Sequence, residues 1–175
     1  MSHKNSHTGN DNRGLTLIEL LITVAILGLL VGLVSVSISL IYSRDVERCA
    51  RLIDNALEMT RMNSMAQEGT FELRIDGNNN ILTIESSVHG TMEQTTLPAR
   101  VNLTARAEGG AAVPEGQNIT IQFDKSNGKV RRVLINGSEV PDTGYNVVRI
   151  NAAQTDGTKQ TSVLLIKITG KHYVN

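Results

Sequence analysis

The chain has 175 residues, with 17 basic and 17 acidic side chains and no net charge. That balance argues against a nucleic-acid binder working through bulk charge, and three Tyr, two Phe and no Trp offer no stacking platform for bases. A single cysteine, Cys49, excludes an intrachain disulfide framework and any multi-cysteine metal site.

Residues 1–14, MSHKNSHTGNDNRG, are polar and lack hydrophobic periodicity, so they are not a folding segment. From Leu15 the character changes at once to LTLIELLITVAILGLLVGLVSVSISLIYS. No charge occurs between Leu20 and Ser43, a run longer than the roughly 20 residues a helix needs to cross a bilayer core. The basic residues Lys4 and Arg13 precede it, which predicts a cytoplasmic N-terminus. A buried core helix fits badly, because the run is apolar on every face. A secretory signal has weak cleavage sites at Ser35-Val-Ser37 and Ser37-Ile-Ser39, and a plain signal anchor fits the length.

Glu19 separates these readings. It lies inside the apolar stretch, where an ionised carboxylate costs several kcal/mol unless paired. Neither a signal peptide nor a simple anchor gains from it, so Glu19 calls for a partner.

Arg13-Gly14-Leu15-Thr16-Leu17-Ile18-Glu19-Leu20-Leu21 resembles the class III signal of type IV pilins and type II secretion pseudopilins. The resemblance implies cleavage between Gly14 and Leu15 by a prepilin peptidase and N-methylation of Leu15. It also implies that Glu19, fifth in the mature chain, pairs with the N-terminal amine of a neighbouring subunit. The physics agrees: a new cationic amine and a carboxylate in an apolar bundle offset each other's desolvation and fix axial register. Gly14 presents an unhindered peptide bond to a protease. Two departures stand out. Leucine replaces the usual phenylalanine at the first mature position. No helix-kinking proline lies in 33–39; Gly28, Gly32, Ser35, Ser37 and Ser39 supply looseness instead.

The helix is expected to continue past Tyr42, over roughly 16–68. In RDVERCARLIDNALEMTRMNSMAQE (44–68), Val46, Cys49/Ala50, Ile53, Ala56/Leu57 and Met65/Ala66 recur at helical steps, and Gly69 is a stop signal. After Gly69 the period drops to two. Strands are expected at 71–76, 81–85, 101–107, 118–124, 129–135, 145–151 and 162–169, with turns at Gly77–Asn80, Ser126–Gly128 and Asn136–Gly137. Loops are expected at 108–117 and 152–160. The predicted fold class is α+β: a long N-terminal helix packed on a β-rich, pilin-like C-terminal domain. The predicted organisation is a leader over 1–14, a transmembrane and assembly helix over 15–43, and a globular domain over 44–175, with its amphipathic helix at 44–68 and β-rich part at 70–175. The order of the amphipathic helix, the hairpin, NITIQFDKSNGK and the closing VLLIKITGKHYVN resembles the H-type minor pseudopilins and the FimT-type minor pilins.

Other chemistry is sparse. Asp76-x-Asn78-x-Asn80 resembles the start of a calcium loop, but the rest of that pattern is missing and a plain turn explains it better. His89 and His172 are read as surface residues with no paired acid nearby in sequence, and Cys49 as a small core residue. Asn102, Asn118 and Asn136 head chance sequons, and Arg131-Arg132 reads as a solvated edge. No catalytic constellation and no cofactor are expected. The expected function is a minor pilin or pseudopilin of a pilus or secretion pseudopilus. It would be held in the bacterial inner membrane by a single pass, with the C-terminal domain outside. Its expected partners are membrane lipid, a prepilin peptidase, the inner-membrane assembly platform and other pilin subunits. The competing class is a signal-anchored binding module or enzyme with a β-rich ectodomain.

Overall fold

The computed structural model describes residues 16–109, 116–142 and 145–175, and of 34–43 the backbone alone. Among the described residues one helix, α1 (Leu17–Ala66), precedes ten strands: β1 (Phe71–Asp76), β2 (Ile81–Ser86), β3 (Gly90–Thr96), β4 (Val101–Glu108), β5 (Asn118–Phe123), β6 (Val130–Ile135), β7 (Ser138–Glu139), β8 (Val147–Gln154), β9 (Gln160–Ile166) and β10 (His172–Val174). The fold is α+β. By compactness the chain divides after Ser39, so α1 contributes to two units, and the whole β-rich part belongs to the second.

Within that second unit, α1 buries one face. Val46, Cys49, Ala50, Ile53, Ala56, Leu57, Thr60 and Ser64 recur at three- and four-residue steps and are all buried. Thr60 and Ser64 tolerate burial because each hydroxyl donates to a carbonyl one turn back, Ala56 at 2.7 Å and Thr60 at 2.8 Å. The strands form two antiparallel sheets, one in the order β3-β2-β1-β5-β6-β7 and one in the order β10-β9-β8-β4. Alternation along β1, β2, β4, β5 and β8 aims Leu73, Ile75, Leu82, Ile84, Leu103, Ile121, Val148 and Ile150 inward, and β6 and β9 add buried Val133 and Val163 without strict alternation. One continuous buried cluster joins these residues to the α1 face.

Several strand expectations need correction. The segment 152–160 is not a loop from its start: β8 runs to Gln154, because small Ala152 continues the inward column and pairs with Leu103. Strand β9 stops at Ile166, and a turn carrying Gly170 at φ +64 leads into β10. Strands β3, β7 and β10 had no sequence signal. Strand β3 is exposed on nearly every residue. Its Glu93 stands in register with buried Ile84 at the open edge of the sheet, and such a charge discourages pairing with another chain. Arg131 and Arg132 are exposed but lie on β6, which is flanked by β5 and β7 and is not an edge.

Candidate assembly site

The start of α1 is built by Thr16. Its hydroxyl and its carbonyl oxygen accept from the Glu19 amide at 3.3 and 3.1 Å, and the carbonyl also accepts from Leu20 at 3.1 Å. Thr16 is therefore the N-cap and Glu19 the third helical residue, the T-x-x-E spacing of a capping box. A carboxylate in the first turn also interacts favourably with the helix dipole, by about 0.3–1 kcal/mol. This local role was legible in the sequence and was missed there. It accounts for where Glu19 sits but not for a charge among apolar neighbours: Glu19 is exposed, and its carboxylate has no partner among the described residues. Gly14 and Leu15, the expected processing pair, lie outside the described residues.

Beyond Glu19 the helix surface is uniformly apolar. Large residues from Leu17 to Leu33, Leu20, Ile22, Ile26 and Leu30 among them, are half or more exposed. Thr23, the next polar residue, satisfies its own hydroxyl by donating to the Leu20 carbonyl at 2.8 Å. Gly28 and Gly32 lie one turn apart, and a Cβ built on either meets nothing within 4 Å, a spacing that admits close approach of a second helix. Covering one Leu or Ile is worth about 1.5–3 kcal/mol, so the uncovered surface from Leu17 to Leu33 represents tens of kcal/mol available to lipid or to neighbouring helices. Among the described residues no helix is long and apolar enough to cross a membrane. The described side chains of this run stop at Leu33, and the uncharged sequence continues to Ser43.

The remaining candidates resolve into structural roles. Asp76 closes the β1–β2 turn: one carboxylate oxygen accepts from the Asn78 and Asn79 amides at 3.0 and 3.1 Å, and the other from the Asn79 side chain at 2.7 Å. These bonds, that of the Asn79 side chain foremost, hold the Asp76 carboxyl below its usual range. Asn78 reaches Asn118 at 3.4 Å, and Asn80 takes the left-handed conformation at φ 54 that ends the turn. Asp76, Asn78 and Asn80 thus form a hydrogen-bonded turn. No group of three His, Cys, Asp or Glu that could hold a metal occurs among the described residues. Cys49 is fully buried, and burial pushes its thiol up to about 12, which leaves no thiolate for nucleophilic work.

His172 corrects the surface reading. Its side chain is only 6% exposed, and its Nε2 lies 3.6 Å from Asp54 and 3.8 Å from Glu58 on α1. The paired acids are more than a hundred residues away in sequence, so local reading had no route to them. Asp54 Oδ1 is buried without a hydrogen bond, which leaves the close imidazole as its nearest compensation. Beside it Arg61 donates to the Gly128 carbonyl at 3.1 Å. Together these contacts tie the C-terminal strand and the β5–β6 turn to α1. His89 is exposed.

The sequence matches the Prokaryotic N-terminal methylation motif over residues 9–35, a span containing Gly14, Leu15 and Glu19. No curated protein matches the chain significantly. The structure is similar to that of the type IV minor pilin FimU of Pseudomonas aeruginosa (strain PAO1), with a TM-score of 0.50 and 14% identity, covering 75% of this chain and 89% of that one. It is also similar to the minor pseudopilin EpsH from the Type 2 Secretion System of Vibrio cholerae, with a TM-score of 0.48 and 16% identity over 75% of this chain and 96% of that one. At 14% identity the likeness to FimU bears on the fold alone.

Proposed function

We propose that this chain, pilin-like by its N-terminal methylation motif and its α+β fold, is a minor pilin or pseudopilin, a structural subunit rather than an enzyme. In this reading a prepilin peptidase removes residues 1–14 by cutting after Gly14, and the new amine of Leu15 is methylated. The uncharged run to Ser43 holds the precursor in the inner membrane by a single pass, with the N-terminus in the cytoplasm and residues 44–175 outside. An inner-membrane assembly platform then adds the subunit to a fibre of a type IV pilus or a type II secretion pseudopilus. The same apolar helix surface faces lipid first and neighbouring helices afterwards.

The observation that carries the reading is Glu19 together with its surroundings. It is a single carboxylate at the head of an uncovered apolar helix, held in the first turn by Thr16 and without a cationic partner among the described residues. A neighbouring subunit's N-terminal amine supplies the missing charge. Bringing both out of water is favourable only when they meet, so the pair selects one axial register. Removing the carboxylate leaves insertion and cleavage untouched and removes that selection. Glu19→Ala is therefore expected to be processed and membrane-inserted at normal levels but poorly incorporated into fibres. The measurement is the amount of the variant in sheared fibre fractions relative to the membrane pool. Incorporation equal to that of the unaltered chain would sink the assembly role of Glu19.

A further inference from the structure

Arg44, Arg48 and Arg51 begin one residue after the apolar run and recur at four- and three-residue steps, so they share one side of α1. All three are exposed, and the Arg51 side chain is 74% exposed. The acid nearest them is already engaged: Glu47 lies 2.7 Å from Lys159, against 3.6 Å from Arg51. Lys159 is also the main reason the Glu47 carboxyl sits below its ordinary range. Arg44 and Arg48 have no ion-pair partner among the described residues. Positive charge is therefore left over on this face.

The surface there is concave. Arg48 borders two clefts. One, of about 290 Å³, also takes in Arg44 and Arg51. The other, of about 390 Å³, is closed by Asp45, the turn at 96–100 and Arg100. Arg48 and Arg100 thus flank one opening, and a planar guanidinium fork is the shape that matches phosphate oxygens.

The helix sets the axial spacing of its own three arginines. At about 1.5 Å per residue, Arg44 and Arg48 stand about 1.5 and 7.5 Å along the axis beyond Ser43, and Arg51 about 12 Å. A headgroup layer is about 5–8 Å thick on each side of the hydrocarbon core, so the first two arginines fall within it and the third at its outer boundary. These arginines outnumber the basic residues Lys4 and Arg13 before the run, against the usual bias toward the cytoplasmic flank. An anionic surface around them offsets that bias.

We propose that Arg44, Arg48 and Arg51, with Arg100 closing the second cleft, form a binding surface for the phosphate headgroup of an anionic phospholipid, occupied while the chain is held in the membrane. The inference rests on the reading of the run to Ser43 as a membrane anchor. The anchor accounts for holding the chain in any bilayer; the arginines add selectivity for charged lipid, which must be given up when the subunit leaves for the fibre.

The test uses the full processed chain in nanodiscs of phosphatidylcholine with or without phosphatidylglycerol. Lipid retained after transfer to detergent is counted by native mass spectrometry. The unaltered chain is expected to retain phosphatidylglycerol over phosphatidylcholine, less so as salt rises. Each arginine near a charged surface is worth about a fivefold preference, so Arg48→Gln is expected to lose about fivefold and Arg44→Gln with Arg48→Gln about 25-fold. Arg131→Gln, at an exposed position on β6, is the control and keeps the preference, and an unchanged thermal midpoint shows that the variants are folded. An undiminished preference in the double variant overturns the proposal. So does complete displacement by inorganic phosphate, which would assign the cleft to a free anion. Unchanged lipid retention with lost fibre incorporation would assign the arginines to an acidic neighbouring subunit and overturns it as well. A chain that enters the nanodisc but shows no lipid preference contradicts this inference alone, whereas a chain that does not enter contradicts the anchor reading beneath it.

Discussion

Replacing Gly170 by alanine tests how the C-terminal strand is held against α1. Gly170 adopts φ +64, and a Cβ built there collides with the Gly128 carbonyl oxygen and approaches Arg61 Nε at 3.1 Å. That carbonyl is the one Arg61 binds. The obstruction is backbone, with no flexible tip to swing away. An alanine in the left-handed region costs about 1–2 kcal/mol, and forcing added volume into a packed contact about 1–3 kcal/mol. The sum is about 2–5 kcal/mol. Gly137, at φ +79 with open space around it, provides the internal comparison: Gly137→Ala meets only the conformational cost, about 1–2 kcal/mol. For a chain of this size each kcal/mol lowers Tm by about 2–4 °C. Gly170→Ala is thus expected to lower Tm by about 4–20 °C and Gly137→Ala by about 2–8 °C. Scanning calorimetry of the purified protein in detergent reads both. If Gly170→Ala costs no more than Gly137→Ala, the tight junction between the two turns is wrong.

Three further outcomes follow from the same geometry. His172→Ala removes the imidazole lying against an Asp54 oxygen that already lacks a hydrogen bond and is expected to cost about 0.5–3 kcal/mol. The double variant with Asp54→Ala should cost less than the sum of the two single ones in urea titrations, and strict additivity would refute the contact. Five carboxyls, Glu47, Asp76, Glu108, Asp124 and Asp156, are held below their usual range, each chiefly by a hydrogen bond to its charged form. A lowered folded value means stability present above the unfolded carboxyl range, about 3.9–4.3, and lost as pH falls through the folded values. Stability should hold near neutrality and decline in acid, and Asp76→Asn should decline less steeply than the unaltered chain; identical acid slopes would remove Asp76 from that set. Finally, Cys49 should resist maleimide in the folded protein and react once urea unfolds it, whereas rapid labelling of the native chain would contradict its burial.

The features legible in the sequence were those with local causes. The apolar run, the change to helical spacing after Ser43 and the change to a period of two after Gly69 each follow from side chains a few positions apart. The turns at Asn80 and Asn136 were legible for the same reason, and both residues take positive φ. Strand β3 was not, because GTMEQTT lies at an edge with both faces in solvent and needs no alternation. The continuation of β8 through Ala152 to Gln154 depends on its partner β4 rather than on its own polar composition. His172 and Asp54 meet only through the tertiary fold. The Arg48–Arg100 cleft likewise unites α1 with a distant turn. Thr16 is a different case: its T-x-x-E spacing to Glu19 is local and present in the sequence, and the cap it forms is the kind of contact such spacing produces.

The most direct test of the account is the mass of the mature N-terminus after co-expression with a prepilin peptidase. The account predicts a chain beginning at Leu15 and carrying one added methyl group. A chain beginning near residue 40, or still at Met1, would contradict it. Glu19 would then be a capping residue alone, and the β-rich domain would belong to a secreted or signal-anchored module.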